Sequence, residues 1–215
     1  IVVALGEQLA KRGQSIMQIT SSACPPSLNY QMADQDLCIA HNRSTLDDLV
    51  EDDRIHTVIV AENFARYPLQ DQPRFGAGLA RSVEALAAAG KTVVLAYPQP
   101  IPWFEPPSAL GLMAHRGENI ETLGITRLRH NTDNRDEILF LDDLARRTGA
   151  VKFRLVDALC DATFCPVYKR GVGVLYFNAN HISVTGARYA VSRFPFSVFP
   201  PARDELTGFK GKPAD

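Results

Sequence analysis

The chain has 215 residues, a length that suits one domain with a substantial core, and its 46% hydrophobic and 22% charged residues are ordinary for a globular protein. A net charge of −1 without a basic stripe argues against binding to nucleic acid or to an anionic membrane surface. No apolar run approaches the roughly 18 residues of a membrane-spanning helix. The sequence begins at Ile1 rather than Met, which predicts a processed product or part of a longer protein.

The first quarter of the chain predicts two helices separated by a strand and a long loop. Residues 1–12 have helical periodicity and end before Gly13, and residues 15–20 predict a short strand. Residues 21–43 predict a loop. The sequence Ser-Thr-Leu-Asp at 44–47 is close to a capping box and predicts the start of the next helix.

The middle of the chain predicts two strands around one helix. Residues 57–61 are β-branched and predict a strand buried on both faces. An Ala-rich helix is predicted over 76–89, followed by a strand over 92–97. Residues 98–132 contain five prolines and little periodicity, so they predict a loop.

The last third predicts an amphipathic helix over 134–148, strands over 151–157 and 172–177, and a helix over 184–192. Alternating strands and helices indicate a parallel sheet with helices on both faces. The predicted fold is therefore α/β, a three-layer α/β/α sandwich with a flavodoxin-like parallel sheet. Residues 194–215, with four prolines and scattered charge, are expected to wrap the surface or fray.

A histidine follows the last predicted strand. The apolar run Leu-Tyr-Phe at 175–177 stops at polar residues that include Asn178 and His181, and Ser183 then occupies the N-cap position of the final helix. The carboxyl edge of an open α/β sheet is where ligands bind. His181 is therefore a candidate catalytic residue, with a purely structural histidine as the alternative.

The four cysteines form two local pairs, Cys24 with Cys38 and Cys160 with Cys165. An even count at short spacing is typical of two disulfides in an oxidising compartment, but composition alone allows four free thiols in the cytosol equally well. Zinc is less well supported because the sequence has no Cys-x-x-Cys or His-x-x-x-His spacing. No metal and no cofactor are predicted.

Three segments resemble one family. Residues 176–187 read Tyr-Phe-Asn-Ala-Asn-His-Ile-Ser-Val-Thr-Gly-Ala, similar to Tyr-x-Asp-x-x-His-Leu-Ser-x-x-Gly-Ala, the last motif of SGNH hydrolase domains fused to integral-membrane acyltransferases that O-acetylate bacterial cell-surface glycans. Residues 18–26 with Cys38 resemble the family's Ser-x-Cys-Pro-Pro segment and its following cysteine. Residues 159–161 with Cys165 are a third match.

This resemblance assigns roles to residues. His181 would be the general base, and Asn178 stands where the family has the acid of the triad; capping of the following loop is the alternative for Asn178. Asn63, after the predicted strand 57–61, would donate to the oxyanion, with a turn-stabilising Asn as the alternative. A second donor would be a backbone N–H near Ser21 or Ser22. The resemblance also implies the disulfides Cys24–Cys38 and Cys160–Cys165 and a periplasmic location.

Two parts of the family's machinery are missing from the sequence. No Gly-Asp-Ser occurs, so the first strand and its nucleophilic serine are expected upstream of residue 1. Residues 1–193 would then be an N-terminally incomplete SGNH-like domain, and 194–215 a C-terminal extension. Because Asn178 carries no charge, either another group supports His181 or activity is reduced.

The resemblance implies a periplasmic domain, tethered to the inner membrane, of a membrane O-acyltransferase. It would transfer an acyl group, most simply acetyl, through a serine ester to a sugar hydroxyl of a cell-surface glycan. Its partners would be a membrane-embedded acyltransferase domain, in the same polypeptide or separate, and the glycan acceptor, with no nucleic acid. The alternatives are a catalytically degenerate carbohydrate-binding or assembly domain and a free-standing esterase.

Overall fold

The computed structural model of the chain describes residues 1–32, 37–67, 69 and 73–200. These residues form short strands and mostly longer helices, and each strand of the central sheet is followed by a helix. The helices are α1 (Val2–Ala10), α2 (Cys38–Glu51), α3 (Pro73–Ala88), α4 (Pro106–His115), α5 (Arg127–Asp133), α6 (Arg135–Thr148), α7 (Leu155–Leu159) and α8 (Val184–Val191). The strands are β1 (Thr57–Val60), β2 (Thr92–Ala96), β3 (Gly124–Thr126), β4 (Val151–Phe153), β5 (Phe164–Pro166), β6 (Tyr168–Lys169) and β7 (Gly173–Val174).

The central sheet is parallel and has the order β1-β2-β4. Side chains alternate between its two faces, because successive residues of a strand point in opposite directions. On one face, Val94 of β2 belongs to a core with α1, α7 and α8. On the other face, Val93 and Leu95 pack with α3 and α6. This is the predicted α/β/α sandwich, with a helical layer on each side of the sheet.

Two short antiparallel pairs lie outside the central sheet, β3 with β5 and β6 with β7. The predicted strand over 172–177 is therefore wrong as a member of the main sheet: its residues form β7 and a single bridge between Tyr176 and Ile182. The predicted strand over 151–157 is shorter than expected, because α7 begins at Leu155.

The predicted strand over residues 15–20 is also wrong, since these residues form no regular structure. Met17 and Ile19 are exposed. A strand exists only where a neighbour accepts its backbone hydrogen bonds, and no described strand pairs with this segment. An extended local pattern is thus not sufficient to form a strand.

Two helical predictions also needed correction. Helix α2 begins at Cys38, so the capping-box residues 44–47 lie inside it. The region 98–132, predicted as loop, contains α4, β3 and α5, and the side chain of Thr126 caps α5 by accepting the N–H of Arg129. Hydrophobic periodicity does not reveal where α2 and α5 begin, because α2 begins at a disulfide-bonded cysteine and α5 after the capping residue Thr126.

Both expected cysteine pairs are disulfide-bonded in the structure, with Cα atoms 5.4 Å apart for Cys24–Cys38 and 4.1 Å apart for Cys160–Cys165. The first joins the loop after α1 to the start of α2. The Asn42 side chain supports this junction by donating to the carbonyl oxygens of Pro25 and Ser27, at 2.7 and 3.2 Å. The disulfide and these bonds explain why α2 can start six residues before Ser44.

The start of the predicted C-terminal extension packs on the domain. Phe194 is buried and contacts Phe153 of β4, with ring centroids 4.8 Å apart, and Phe196 and Phe199 pack around it. Residues 201–215 lie outside the described residues.

Candidate active site

His181 lies on a short loop whose ends are fixed by backbone hydrogen bonds. The N–H of Phe177 donates to the carbonyl oxygen of His181 at 2.8 Å, and the N–H of Ser183 donates to that of Leu175 at 2.9 Å. Ser183 caps α8 by accepting the N–H of Gly186 at 2.9 Å. A Cβ on Gly186 would lie 2.1 Å from the Leu175 oxygen, so only glycine allows α8 to start this close to the loop. The exposed His181 is therefore held on a rigid frame.

Asn178 orients the imidazole of His181. Its side-chain oxygen Oδ1 accepts the backbone N–H of Asn180 at 3.1 Å and that of His181 at 2.9 Å. The same oxygen lies 2.9 Å from His181 Nδ1. The two backbone donors require the amide oxygen, not the NH2 group, on this side of Asn178. Because an amide oxygen only accepts, Nδ1 must carry the proton of a neutral imidazole.

The tautomer that results is the one a general base needs, because it leaves the lone pair of Nε2 unprotonated. Asn178 thus acts both as the cap of the loop and as the orienting partner of His181. The sequence presented these two roles as alternatives. In the structure the capping bonds fix the amide oxygen that faces Nδ1, so this tautomer of His181 does not require a carboxylate.

The loop after β2 makes hydrogen bonds to the loop over 178–181 that carries His181, called the histidine loop below, and to Tyr176 just before it. The Gln99 side chain donates to the carbonyl oxygen of Asn180. The buried Tyr176 hydroxyl donates to the carbonyl oxygen of Pro100 at 2.9 Å. These contacts place His181 beside the carboxyl end of β2, although the chain segments that carry them are about 80 residues apart (sequence separations of 81 and 76).

Asn63 follows the carboxyl end of β1, which pairs in parallel with β2, Val60 opposite Leu95. Parallel neighbours end at the same edge of a sheet. Asn63 and the His181 loop therefore share the carboxyl edge, as the predicted common site requires. The side chain of Asn63 is exposed, and the backbone carbonyl oxygen of Asn63 accepts the N–H of Arg66 at 2.9 Å.

Ser21 and Ser22, near which a second oxyanion donor was predicted, are also exposed. They lie in a turn in which the N–H of Cys24 donates to the carbonyl oxygen of Ser21 at 3.3 Å.

Glu62, between β1 and Asn63, is partly buried, and its Oε1 accepts the N–H of Asn63 at 2.6 Å. Burial raises the pKa of the Glu62 carboxyl to about 7, although the Asn63 N–H and the nearby Arg66 offset part of that rise. The folded protein thus holds a proton that the unfolded chain releases near its ordinary value of 4.5. Stability should fall as the pH rises from that value through about 7.

The substitution Glu62→Gln is expected to abolish this pH dependence while keeping an acceptor for Asn63. The variant should exceed the wild type in free energy of unfolding by about 3 kcal/mol near pH 8 and match it near pH 4. Urea unfolding across this range measures the difference, with Glu118→Gln, an exposed carboxylate elsewhere, as the matched control. Equal stability of the Glu62→Gln variant and the wild type at both pH values would refute the burial argument.

A cavity of about 180 Å³ opens at the same edge. Its lining comes from the loop after β1, the loop after β2, β3, and the helices α5 and α6: Phe64, Ala65, Ile101, Trp103, Ile125, His130, Asp133, Asn134 and Glu137. His130 and Glu137 were not predicted as site residues from the sequence. Their convergence is tertiary, and residues 98–132 gave no sign of the helix that carries His130.

The described residues show neither a metal site nor a membrane span. Among them, no three or more His, Cys, Asp or Glu side chains are grouped so that they could hold a metal ion. None of the helices in this part of the chain combines the length and the apolar character that crossing a membrane requires.

Comparison with known proteins agrees with this architecture. The model of the family described as SGNH domain (fused to AT3 domains) matches residues 1–195. The periplasmic domain of a lipopolysaccharide acetyltransferase from Salmonella ser. Paratyphi A has a similar structure, with a TM-score of 0.69 and 12% sequence identity. The match covers 91% of this chain and 77% of that chain, and at this identity it shows the fold alone. No match was found among curated protein sequences.

Proposed function

Because the chain belongs to the family of SGNH domains fused to AT3 domains, we propose that it is the periplasmic acyl-transfer domain of a membrane O-acyltransferase. It passes an acyl group, most simply acetyl, to a sugar hydroxyl of a cell-surface glycan. The observation that carries this proposal is the His181–Asn178 pair at the carboxyl edge of the sheet, with Nε2 of His181 left as the base.

The reaction proceeds through a serine ester. His181 Nε2 takes the serine proton as the serine oxygen attacks the acyl carbonyl, and the imidazolium returns that proton to the leaving group of the donor as its bond to the acyl carbon breaks. A sugar hydroxyl then attacks the ester, its proton passes to Nε2, and His181 protonates the serine oxygen as it leaves. Asn63 donates a hydrogen bond to the oxyanion of each tetrahedral intermediate. Asn178 keeps Nδ1 protonated throughout.

In this proposal the nucleophilic serine lies outside these 215 residues, which contain no Gly-Asp-Ser. Within the described residues β1 pairs with β2 alone, so its other edge has unpaired backbone groups. The side chains of Val58, Ile59 and Val60 are half-buried there. In our proposal a strand encoded upstream pairs with this edge and brings the serine to the carboxyl end, beside Asn63.

The periplasmic location and the membrane partner are further parts of the proposal. Two disulfides favour an oxidising compartment. The structurally similar domain is described as the periplasmic domain of a lipopolysaccharide acetyltransferase. The AT3 domain to which this family is fused would supply the acyl group from the membrane side and tether this domain to the inner membrane.

The test is acyl transfer by the longer polypeptide that includes the upstream segment and the membrane domain. Mass spectrometry of the glycan from cells that produce it should detect added acetyl groups. Cells that produce the His181→Ala variant should lack them. A glycan that is equally acetylated in both would exclude the proposed role of this site.

A further inference from the structure

The cavity beside the candidate active site combines an aromatic face with buried polar groups. Trp103 lines it and has 56% of its surface exposed, which is unusual for so large an apolar side chain. His130 and Glu137 line the same cavity and are only 2% and 6% exposed. Buried polar groups that border a cavity favour a ligand that can hydrogen-bond to them.

The backbone of Trp103 is also held in an unfavourable conformation. Its φ of +63° lies in the left-handed region, which costs a bulky residue about 1–3 kcal/mol. Such strain persists only where the surroundings impose it, and it is concentrated at ligand sites. In this structure the strained residue lines the cavity with its indole partly exposed rather than buried in the core.

The charges of the lining select against an anionic ligand. Asp133 and Glu137 contribute carboxylates. His130 is neutral near pH 7 because burial, followed by the nearby Arg127, lowers its pKa to about 4. The neighbouring cations are paired with carboxylates, Arg127 with Asp157 and Arg129 with Asp133. The nine lining residues include no Lys or Arg, so a phosphate or carboxylate group would meet the Glu137 carboxylate without a cation in the lining to balance it.

A purely apolar ligand fits no better. An acyl chain has no hydrogen-bond donor to offer the Asp133 and Glu137 carboxylates, so covering them with it would be unfavourable. A pyranose ring satisfies both parts of the lining, because it has C–H groups that stack on an indole face and hydroxyl groups that donate to carboxylates. The volume of about 180 Å³ is smaller than a drug-sized pocket and suits a single sugar ring.

The cavity is adjacent to both candidate catalytic residues. Its residues Phe64 and Ala65 directly follow Asn63, and Ile101 follows Gln99, which supports the His181 loop by its bond to Asn180. Gln99 and Ile101 are two residues apart, which is about 7 Å of extended chain, so the cavity and the histidine loop lie on neighbouring parts of the carboxyl edge. A glycan with one ring in the cavity can therefore continue towards His181.

We infer that this cavity binds one neutral sugar ring of the acceptor glycan, with Trp103 as its stacking face and the Asp133 and Glu137 carboxylates as hydroxyl acceptors. That this sugar belongs to the acceptor glycan rests on the proposed function; that the cavity binds a sugar ring does not.

The 215-residue chain itself allows a direct test, because Trp103 is its single tryptophan and its fluorescence reports on the cavity alone. We would titrate the chain with a panel of neutral hexoses, 6-deoxyhexoses and N-acetylhexosamines and record the indole emission. At least one sugar should give a saturable change. Inorganic phosphate and methyl butyrate, as probes of anionic and acyl ligands, should give none.

Matched variants localise the binding. Glu137→Gln and Asp133→Asn should each weaken the affinity for that sugar about tenfold, since each removes a charged acceptor. Glu118→Gln, whose exposed carboxylate lies outside the cavity, should leave the affinity unchanged. Because Trp103→Ala and Trp103→Phe lack the indole, calorimetry replaces fluorescence for them; Ala should abolish binding and Phe should retain part of it. Circular dichroism verifies that every variant is folded.

The outcomes separate this inference from the proposed function. If no sugar gives a saturable change, or phosphate or methyl butyrate does so instead, the cavity is not a sugar subsite. Acyl transfer by the longer polypeptide would be unaffected by that result. If the sugar binds but the longer polypeptide acylates no glycan, the subsite stands as a sugar site and the proposed function fails.

Discussion

Replacement of His181 by alanine is expected to lower the rate of acyl transfer by the longer polypeptide about 10³-fold or more. The loss has a single physical cause. A positioned general base contributes about 10²–10⁴-fold to a proton-transfer step, and in the proposed mechanism His181 is the base for both half-reactions. The side chain is exposed, so its removal should change the free energy of unfolding by only about 1 kcal/mol, the value of its hydrogen bond to Asn178.

The matched control is His115→Ala. His115 is an exposed histidine at the end of α4, and it is absent from both the histidine loop and the cavity lining. The rate of this variant should equal that of the wild type. If His181→Ala is as active as the His115→Ala control, His181 is not the base, and the domain is better explained as a binding or assembly module that keeps the fold without the chemistry.

The substitution Asn178→Asp is expected to raise the rate only about tenfold. In serine proteases the reverse exchange, Asp to Asn, lowers turnover about 10⁴-fold because the imidazole takes the wrong tautomer. Here two backbone N–H groups already direct the amide oxygen of Asn178 towards Nδ1, so the tautomer is correct with Asn. What the carboxylate adds is charge, and a hydrogen bond to a charged acceptor exceeds a neutral one by about 1–1.5 kcal/mol.

Initial rates of acetyl ester hydrolysis and of acyl transfer by the longer polypeptide measure this gain. The comparison uses equal amounts of folded wild type and Asn178→Asp variant. A gain near 10⁴-fold would mean that Asn178 turns its NH2 group to the histidine in solution, contrary to the structure. No gain at all would mean that Asn178 does not act on a catalytic histidine.

The parts of the fold that were predicted correctly rest on local signals. The β-branched run 57–61 forms β1, the amphipathic pattern over 134–148 forms α6, and Ser183 caps α8 as expected. Each of these elements needs only its own periodicity or its own cap to be recognised. The resemblance to the SGNH family supplied the roles that periodicity cannot give.

The features that were missed depend on contacts between distant segments. Residues 15–20 have an extended pattern, but no described strand provides the hydrogen bonds a strand requires. The orientation of the Asn178 amide depends on the conformation of the loop over 178–181, and the convergence of His130 and Glu137 with Trp103 depends on how α5, α6 and the loop after β2 pack. None of these arrangements has a spacing that a sequence pattern could reveal.

The central claim is that Asn178 holds His181 as a base whose Nε2 is unprotonated, and the ring nitrogens of His181 report on this directly. Long-range ¹H–¹⁵N correlation spectra of the 215-residue chain, recorded where the imidazole is neutral, distinguish a protonated from an unprotonated ring nitrogen. The signals that disappear in His181→Ala identify the residue. We expect Nδ1 to be protonated and Nε2 to be unprotonated; the opposite assignment would contradict the site geometry and the proposed mechanism together.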